Sequence, residues 1–249
     1  MIDIHSHILY GIDDGSKSLS MTLEMIKNAE KDGTSKLVAT PHYCRGYGET
    51  EYCEVKNMLC NLKEIVKKEK INVELFHGQE VYYEKNILEF YDEGLIGTIN
   101  DTMYMLIELP MNKFDSEPLD VIYELRIKGI VPILAHPERY IPFIKEPSKI
   151  NDFIKEGFLF QVNSGSLTGQ FGKQVKKTAQ IFIDNNIYNF MGSDAHNDNN
   201  RVTGLSRAMK CVENKKLFEE SSNKLLKNEE IKFIGECVKK KSKFFSLFN

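Results

Sequence analysis

Short apolar runs alternate with longer amphipathic stretches along most of the chain, and this alternation constrains the fold more than any other feature. The apolar runs predict seven strands, at residues 2–8, 36–40, 72–76, 103–109, 130–135, 158–162 and 187–191. The stretches between them predict helices near residues 18–31, 51–69, 117–128, 148–156, 173–185 and 203–212. Such alternation is typical of a parallel α/β fold. About seven units favour closure into a barrel, although periodicity alone does not exclude an open sheet.

The size and charge of the chain are those of an ordinary globular protein. A length of 249 residues suits one domain, so we expect residues 1–249 to form a single unit. Thirty-three basic and 36 acidic residues give a formal charge of -3. A nucleic-acid-binding protein normally shows a basic face or stripe, so we expect no nucleic-acid partner.

The N-terminal and cysteine patterns favour a cytoplasmic location. The first residues, MIDIHSHIL, place two histidines where a secretory signal needs an apolar core. No later run of apolar residues is long enough to span a bilayer, so we expect no transmembrane segment. The five cysteines are odd in number and form no CxxC pair, which favours free thiols in a reducing compartment.

The cysteines also exclude one kind of chemistry. A cysteine-dependent tyrosine phosphatase needs an arginine six positions after its cysteine, so that a phosphate-binding loop can form. No arginine has that spacing from Cys44, Cys53, Cys60, Cys211 or Cys237. If this chain removes phosphate, it does not use a thiolate to do so.

Histidines and carboxylates follow the predicted strands in a regular way. His5 and His7 alternate along the first strand, so both side chains leave the same face. The other candidates lie at or just past the C-terminal ends of strands: Asp13 and Asp14 in GIDDG, His42 in ATPHY, Glu80 in HGQEVYY, Glu108 in LIELP, His136 in LAHPER, and Asp194 and His196 in GSDAHN. In parallel α/β barrels that end carries the active site, so we expect these side chains to converge on one rim.

This set of side chains predicts a metal site. One histidine at a strand end is more often a hydrogen-bonded residue than a ligand, and HxH alone is modest evidence. Several carboxylates and imidazoles buried together, however, are costly unless cations compensate them. Mixed imidazole and carboxylate donors suit Mn²⁺, Zn²⁺ or Fe²⁺. The number of donors exceeds the needs of one ion, which indicates two or three ions with a bridging carboxylate.

The motifs DIHSHILYGIDDG, ATPHY, GQEVYY, LIELP, LAHPERY, QVNSG and GSDAHN resemble those of the PHP (polymerase and histidinol phosphatase) superfamily. The chain is most similar to bacterial protein-tyrosine phosphatases that oppose tyrosine kinases controlling capsule and exopolysaccharide synthesis. The resemblance runs from residue 2 to about residue 205, with the motifs in family order. It implies a distorted (β/α)7 barrel holding three metal ions, usually manganese.

The resemblance also implies a role for each ligand. It assigns them to three ions: His5, His7, Glu80 and Asp194 to the first, Glu80, Glu108 and His136 to the second, and Asp14, His42 and His196 to the third. His77 has no role in the family pattern, and we interpret it as structural or surface.

Arg139, in HPER, and Arg201, seven residues after Asp194, match the family's phosphate-binding arginines. The chain has only five arginines among its 33 basic residues, so lysine is its usual surface cation. An arginine beside a metal loop then favours bidentate phosphate binding, with a surface ion pair as the alternative.

The implied reaction is hydrolysis of phosphotyrosine on a bacterial tyrosine kinase, without a phosphoenzyme intermediate. Bound cations would lower the pKa of a coordinated water, and the resulting hydroxide would attack phosphorus in line. The ions and two arginines would neutralise charge on the phosphoryl oxygens. His42, His196 or a metal-bound water could supply a proton to the leaving group, and the sequence does not distinguish them.

Three other functions stay open. A small-molecule phosphatase, acting on a compound such as histidinol phosphate, would share the metal site. A nuclease of the same superfamily would benefit from a basic groove, of which the overall charge gives no sign. A non-catalytic barrel could bind metal or a phosphorylated partner without turnover. The basic, aromatic end of the chain, residues 239–249, has no role that the sequence reveals.

Overall fold

The computed structural model describes residues 1–114 and 117–240, which form a mixed α/β fold. Ten strands are present in these residues: β1 (Ile2–Ser6), β2 (Lys36–Ala39), β3 (His42–Cys44), β4 (Gly48–Glu49), β5 (Glu74–His77), β6 (Glu80–Tyr82), β7 (Tyr104–Glu108), β8 (Val131–Ala135), β9 (Leu159–Asn163) and β10 (Phe190–Gly192). The α-helices of the same residues are α1 (Leu19–Lys31), α2 (Tyr52–Lys68), α3 (Ile87–Asp92), α4 (Glu117–Ile127), α5 (Ile141–Lys145), α6 (Ile150–Lys155), α7 (Ser164–Thr168), α8 (Lys173–Asp184), α9 (Ser206–Met209) and α10 (Lys215–Leu226).

The longer helices follow the amphipathic pattern that predicted them. In α1, Ser18 accepts a hydrogen bond from the backbone N–H of Met21 and so caps the first turn. The same helix buries one face, formed by Thr22, Met25, Ile26 and Ala29. Residues at this spacing lie on one side of a helix, which therefore packs against the sheet.

The strands form two parallel sheets that meet at β1. One sheet has the order β1-β2-β5, and the other has the order β10-β9-β8-β7-β6-β3-β4. Only the β3–β4 pair is antiparallel among the pairs in these residues. After β10, the Asp194 N–H donates to His5 O at 2.8 Å, and the His7 N–H donates to Ala195 O at 2.9 Å. The chain after β10 therefore lies directly beside the end of β1.

Each of the seven predicted strands overlaps an observed strand, but β3, β4 and β6 were not predicted. His42 was expected to end the second strand, and it instead begins β3. Glu80 was expected to follow the third strand in a loop, and it instead begins β6. Both residues thus lie on the second sheet rather than at the end of the first. The helices α3, α5, α7 and α10 were also not predicted.

Two residues explain the interruption of these strands. Pro41 separates β2 from β3 and has no backbone N–H to donate to a neighbouring strand. Gly78 separates β5 from β6, and a Cβ at this position would lie 3.2 Å from Ile99 and 3.3 Å from Thr40. This close approach leaves little room for a side chain, which favours glycine. The chain therefore leaves one sheet and enters the other at these two points.

An irregularity in β1 aims the two histidines of the HxH motif. The register between β1 and β2 shifts between Asp3 and Ser6. The Asp3 carboxylate accepts hydrogen bonds from the backbone N–H groups of His5, at 3.2 Å, and Ser193, at 2.9 Å. A bulge of this kind redirects the side chains that follow it. His5, in β1, and His7, directly after it, are both fully buried.

An apolar cluster lies beneath the histidines and joins the two sheets. It contains buried side chains from six strands and from α10, including Ile2, Ile4, Val38, Leu106, Ile133, Leu159, Phe190 and Leu225. Because strands of both sheets contribute to it, the sheets curve around this cluster. The helix α10 was not predicted, yet its Leu225 is completely buried.

Two further expectations concern the ends of the chain and membranes. Most of the basic, aromatic segment at residues 239–249 lies outside the described residues. In the part of the chain that the structure describes, no helix has the length and apolar character needed to cross a membrane.

The packing of α10 predicts a specific loss of stability. We expect Leu225→Ala to lower the free energy of unfolding by about 2–5 kcal/mol, because it leaves a cavity in the apolar cluster. Urea unfolding in metal-free buffer measures this change. Ile127→Ala, at an exposed position in the last turn of α4, is the control and should cost under about 0.5 kcal/mol. Equal losses in the two variants would contradict this account of α10.

Candidate metal centre

The structure brings all nine predicted ligands together where the strands end. The side chains form three groups, and the ligand atoms inside each group lie within 4.8 Å of one another. The groups are His5, His7, Glu80 and Asp194; His7, Asp14, His42 and His196; and His42, Glu80 and Glu108. His136 lies beside the third group, with its Nε2 2.9 Å from Glu80 Oε1. The convergence expected from the strand ends is therefore present, although the roles of the residues stay a prediction.

The first group has the spacing of ligands around one ion. Its four atoms are His5 Nε2, His7 Nε2, Glu80 Oε2 and Asp194 Oδ1. The two ring nitrogens lie 3.2 Å apart, and they lie 3.1 and 3.2 Å from the glutamate oxygen. The aspartate oxygen is 3.7 and 3.5 Å from the same two nitrogens. Ligands bound about 2.1 Å from one ion lie about 3.0–3.5 Å from one another, so this group fits a cation.

The second group is centred on Asp14 at the edge of the cluster. Asp14 Oδ1 lies 3.1 Å from His196 Nε2 and 3.6 Å from His42 Nε2. The His7 ring is close to both imidazoles, with ring centroids 4.0 Å from His196 and 4.5 Å from His42. This group contains the three residues that the resemblance assigns to one ion, together with His7.

The third group contains His42 where the resemblance implies His136. His42 Nδ1 lies 3.2 Å from Glu80 Oε2 and 3.9 Å from Glu108 Oε2. His136 Nε2 lies 3.6 Å from Glu108 Oε1, so His136 also contacts both carboxylates. Glu80 is shared by the first and third groups, as a bridging carboxylate would be.

The charges of the cluster indicate that it needs cations. Burial raises the pKa of Glu108, and the neighbouring carboxylates Glu80 and Asp194 raise it further, well above its usual range. Burial alone would also raise the pKa of Asp194, but His5, His7 and the nearby arginines hold it well below its usual range. Several carboxylates in a buried site repel one another unless positive charge is added. Imidazole and carboxylate donors without thiolates suit Mn²⁺, Zn²⁺ or Fe²⁺.

Hydrogen bonds behind the imidazoles fix which ring nitrogen faces the cluster. Gln161 Oε1 lies 3.0 Å from His5 Nδ1, and Asp13 Oδ2 lies 2.8 Å from His7 Nδ1. His196 Nδ1 lies 3.0 Å from the backbone oxygen of Asp194. When Nδ1 donates to these oxygens, the Nε2 lone pair is left for a ligand bond.

Sequence reasoning missed most of these supporting residues. Gln161 and Asn163 belong to QVNSG, which was noted for its resemblance but given no role. Asn163 Nδ2 donates to Asp194 Oδ2 at 2.7 Å. Asp13 was noted in GIDDG, and it binds His7 rather than joining the groups of ligand atoms. The signal for Gln161 and Asn163 was their period of two along a buried strand end.

The two predicted arginines meet at the same carboxylate. Arg139 Nη1 lies 2.7 Å from Asp194 Oδ2, and Arg201 Nη2 lies 2.6 Å from Asp194 Oδ1. The Arg139 guanidinium also lies 4.6 Å from the centre of the Phe171 ring. Both arginines line a pocket of about 240 Å³ that opens above the cluster. They are therefore placed to contact an anion that enters the pocket.

Two other residues have no part in the cluster. His77 Nε2 lies 3.3 Å from Asp101 Oδ2, and its ring packs against Tyr52. Cys44 lines the pocket, but burial and nearby carboxylates raise the pKa of its thiol. A thiol with a raised pKa is a poor nucleophile, which agrees with the absence of a phosphate loop.

Comparisons with known proteins show similarity along almost the whole chain. A family model described as capsular polysaccharide synthesis, CpsB/CapC, matches residues 1–235. CapC of Staphylococcus aureus is 34% identical over 240 residues, which cover 96% of this chain and 94% of that protein. Tyrosine-protein phosphatase YwqE of Bacillus subtilis (strain 168) is 32% identical over 254 residues, which cover 100% of both chains.

A solved structure is also similar to this fold. It belongs to the crystal structures of YwqE from Bacillus subtilis and CpsB from Streptococcus pneumoniae, described as unique metal-dependent tyrosine phosphatases. The match has a TM-score of 0.91 and 32% sequence identity, and it covers 96% of this chain and 100% of that one.

The shared position of Glu80 predicts the effect of its removal. We expect Glu80→Ala to lose most of the bound metal, because two groups of ligand atoms share this carboxylate. Elemental analysis of the purified protein after dialysis against Mn²⁺ and buffer measures the bound metal. Glu64→Ala, at an exposed position on α2, is the control and should keep the wild-type content. A full complement of metal in Glu80→Ala would remove this residue from the site.

Proposed function

Because this chain belongs to the capsular polysaccharide synthesis family CpsB/CapC, we propose that it is a metal-dependent phosphatase that hydrolyses phosphotyrosine on a protein. The observation that carries this proposal is the arrangement of the pocket. Seven of the nine clustered imidazole and carboxylate side chains line it, His5 and His7 lie buried behind them, and two arginines complete the lining. That combination suits a phosphate ester, which needs cations and bidentate donors around its oxygens.

The proposed metal set is two or three ions, with manganese preferred and Zn²⁺ or Fe²⁺ accommodated by the same donors. The ligands are those that the resemblance implies: His5, His7, Asp14, His42, Glu80, Glu108, His136, Asp194 and His196. The ligand-like distances of the first group and the shared Glu80 support at least two adjacent ions. When bound, such ions lower the pKa of a coordinated water and neutralise charge on phosphoryl oxygens.

The arginines of the chain orient the phosphoryl group. Arg139 and Arg201 each present a guanidinium at the pocket while anchored to Asp194. Asp194 thereby sets the distance between the arginines and the cluster. Planar guanidinium groups can each donate two hydrogen bonds to phosphoryl oxygens, and these bonds strengthen as charge develops there.

His42 and His196 were candidates for proton donation to the leaving group. Both direct Nε2 toward Asp14 Oδ1, so we assign them first to holding an ion. The phenolic leaving group of phosphotyrosine has a pKa of about 10, which reduces the need for a proton from the protein. An alkyl alcohol as leaving group would depend more strongly on a proton from the protein.

The same proposal includes the closure of the strands into a barrel and the cellular role of the reaction. We infer that the strands form one distorted (β/α)7 barrel and that residues 1–249 are one domain. The hydrogen bonds between β1 and the residues after β10 support closure. We also propose a cytoplasmic role in capsule or exopolysaccharide synthesis, with a bacterial tyrosine kinase as the phosphorylated partner. The capsular description of the family supports this setting.

A substrate comparison tests the proposed reaction. Protein stripped by a chelator should lose turnover of phosphotyrosine peptides and regain it with added Mn²⁺, because the ions are required for attack on phosphorus. Histidinol phosphate, assayed in parallel, should be hydrolysed much more slowly. Faster turnover of histidinol phosphate would favour a small-molecule phosphatase. Metal binding without turnover of either compound would favour a non-catalytic protein.

The position of Arg139 predicts that its removal lowers activity without loss of metal. We expect Arg139→Ala to keep its metal and to lower kcat/KM for a phosphotyrosine peptide by on the order of 10²-fold, because one charged donor is lost. Arg207→Ala, at an exposed position on α9, is the control and should match the wild type. Steady-state kinetics with parallel metal analysis measures both properties. Wild-type activity in Arg139→Ala would exclude this residue from the reaction.

A further inference from the structure

Tyr47 is an aromatic side chain that lines the pocket while remaining largely exposed. Its exposed fraction is 59%. Seven large hydrophobic side chains are exposed within residues 1–114 and 117–240. Of these seven, only Tyr47 lines this pocket. A single exposed aromatic residue is ordinary on a protein surface. Its position over the candidate metal centre is what calls for an explanation.

The hairpin that carries Tyr47 is fixed to the metal-binding loop. β3 and β4 form an antiparallel pair, and the Tyr47 N–H donates to Cys44 O at 3.0 Å to close the turn. Gly46 in this turn has φ of 75°, a conformation that glycine adopts without strain. A Cβ at Gly48 would lie 3.5 Å from Asp13 Cβ, so the hairpin lies close to the GIDDG loop. The turn therefore places Tyr47 beside this loop.

The ring of Tyr47 is also held in a defined orientation. Its hydroxyl interacts with the Asp14 carboxylate. Its ring centroid lies 5.8 Å from that of His42, at an interplanar angle of 70°. Besides these two contacts, Tyr47 lines the open pocket.

The arginines of the pocket mark where a phosphoryl group would bind. Arg139 and Arg201 are each paired with Asp194, whereas Tyr47 lies beside Asp14 and His42. A phosphate monoester carries one organic substituent, which must project away from the phosphoryl-binding groups toward the open side. An aromatic wall beside that side would contact the substituent rather than the phosphate.

We propose that Tyr47 determines specificity by packing against the aromatic ring of the phosphorylated tyrosine, an inference that rests on the proposed function. Aromatic pairs in offset or edge-to-face geometry strengthen binding by about two- to tenfold. An alkyl phosphate has no ring and gains nothing from this contact. Tyr47 thus favours aryl over alkyl phosphates at a metal site that would otherwise accept both.

Binding of two phosphonates to the metal-loaded full chain tests this role without requiring turnover. Phenylphosphonate and methylphosphonate share the anionic group and differ in the ring. Calorimetry should show that Tyr47→Ala weakens phenylphosphonate binding by about two- to tenfold and leaves methylphosphonate binding unchanged. Tyr47→Phe keeps the ring and should bind phenylphosphonate more tightly than Tyr47→Ala does. Tyr123→Ala, at a tyrosine that is 50% exposed on α4, is the matched control.

The outcomes separate this inference from the proposed function. Equal weakening of both phosphonates in Tyr47→Ala would show that the residue acts through Asp14, and this would overturn the specificity role. Unchanged binding of phenylphosphonate in that variant would overturn it as well. A wild-type protein that binds phenylphosphonate through Tyr47 but does not hydrolyse phosphotyrosine peptides would instead refute the proposed reaction and leave the ring contact established.

Discussion

The structure depends on one electrostatic constraint: four carboxylates and five imidazoles share a small, mostly buried volume at the ends of the strands. Carboxylates this close repel one another, and burial removes the water that would screen them. The raised pKa of Glu108 beside the lowered pKa of Asp194 is the mark of that competition. Divalent cations resolve it, and the same cations make the pocket suitable for a phosphate ester.

The fold meets this constraint by joining elements that are distant in the chain. A bulge in β1 aims His5 and His7, and interruptions at Pro41 and Gly78 carry His42 and Glu80 onto the second sheet. Asp194 then acts as the common partner of the ligand atoms and both arginines. In the proposed function, binding of metal and binding of phosphate are therefore connected through one carboxylate. A change at Asp194 should affect both, whereas a change at either arginine should affect only phosphate.

Much of this arrangement could be predicted from the sequence, and the failures have physical causes. All nine residues of the cluster were singled out from the sequence because histidines and carboxylates at successive strand ends are unusual in a core. The short strands β3 and β6 were not predictable, because they arise from pairing with distant strands and not from a local pattern. Gln161 and Asn163 escaped notice because uncharged amides carry no metal signature. Tyr47 was missed because its role depends on a turn that only the packing of Gly48 against Asp13 positions.

The most direct test of the central claim is anomalous X-ray diffraction from crystals of the full chain grown with Mn²⁺, recorded on both sides of the manganese absorption edge. The account predicts at least two strong anomalous peaks inside the cluster, one among His5, His7, Glu80 and Asp194 and an adjacent one that shares Glu80. Crystals saturated with Mn²⁺ that show no anomalous peak near these side chains would contradict it.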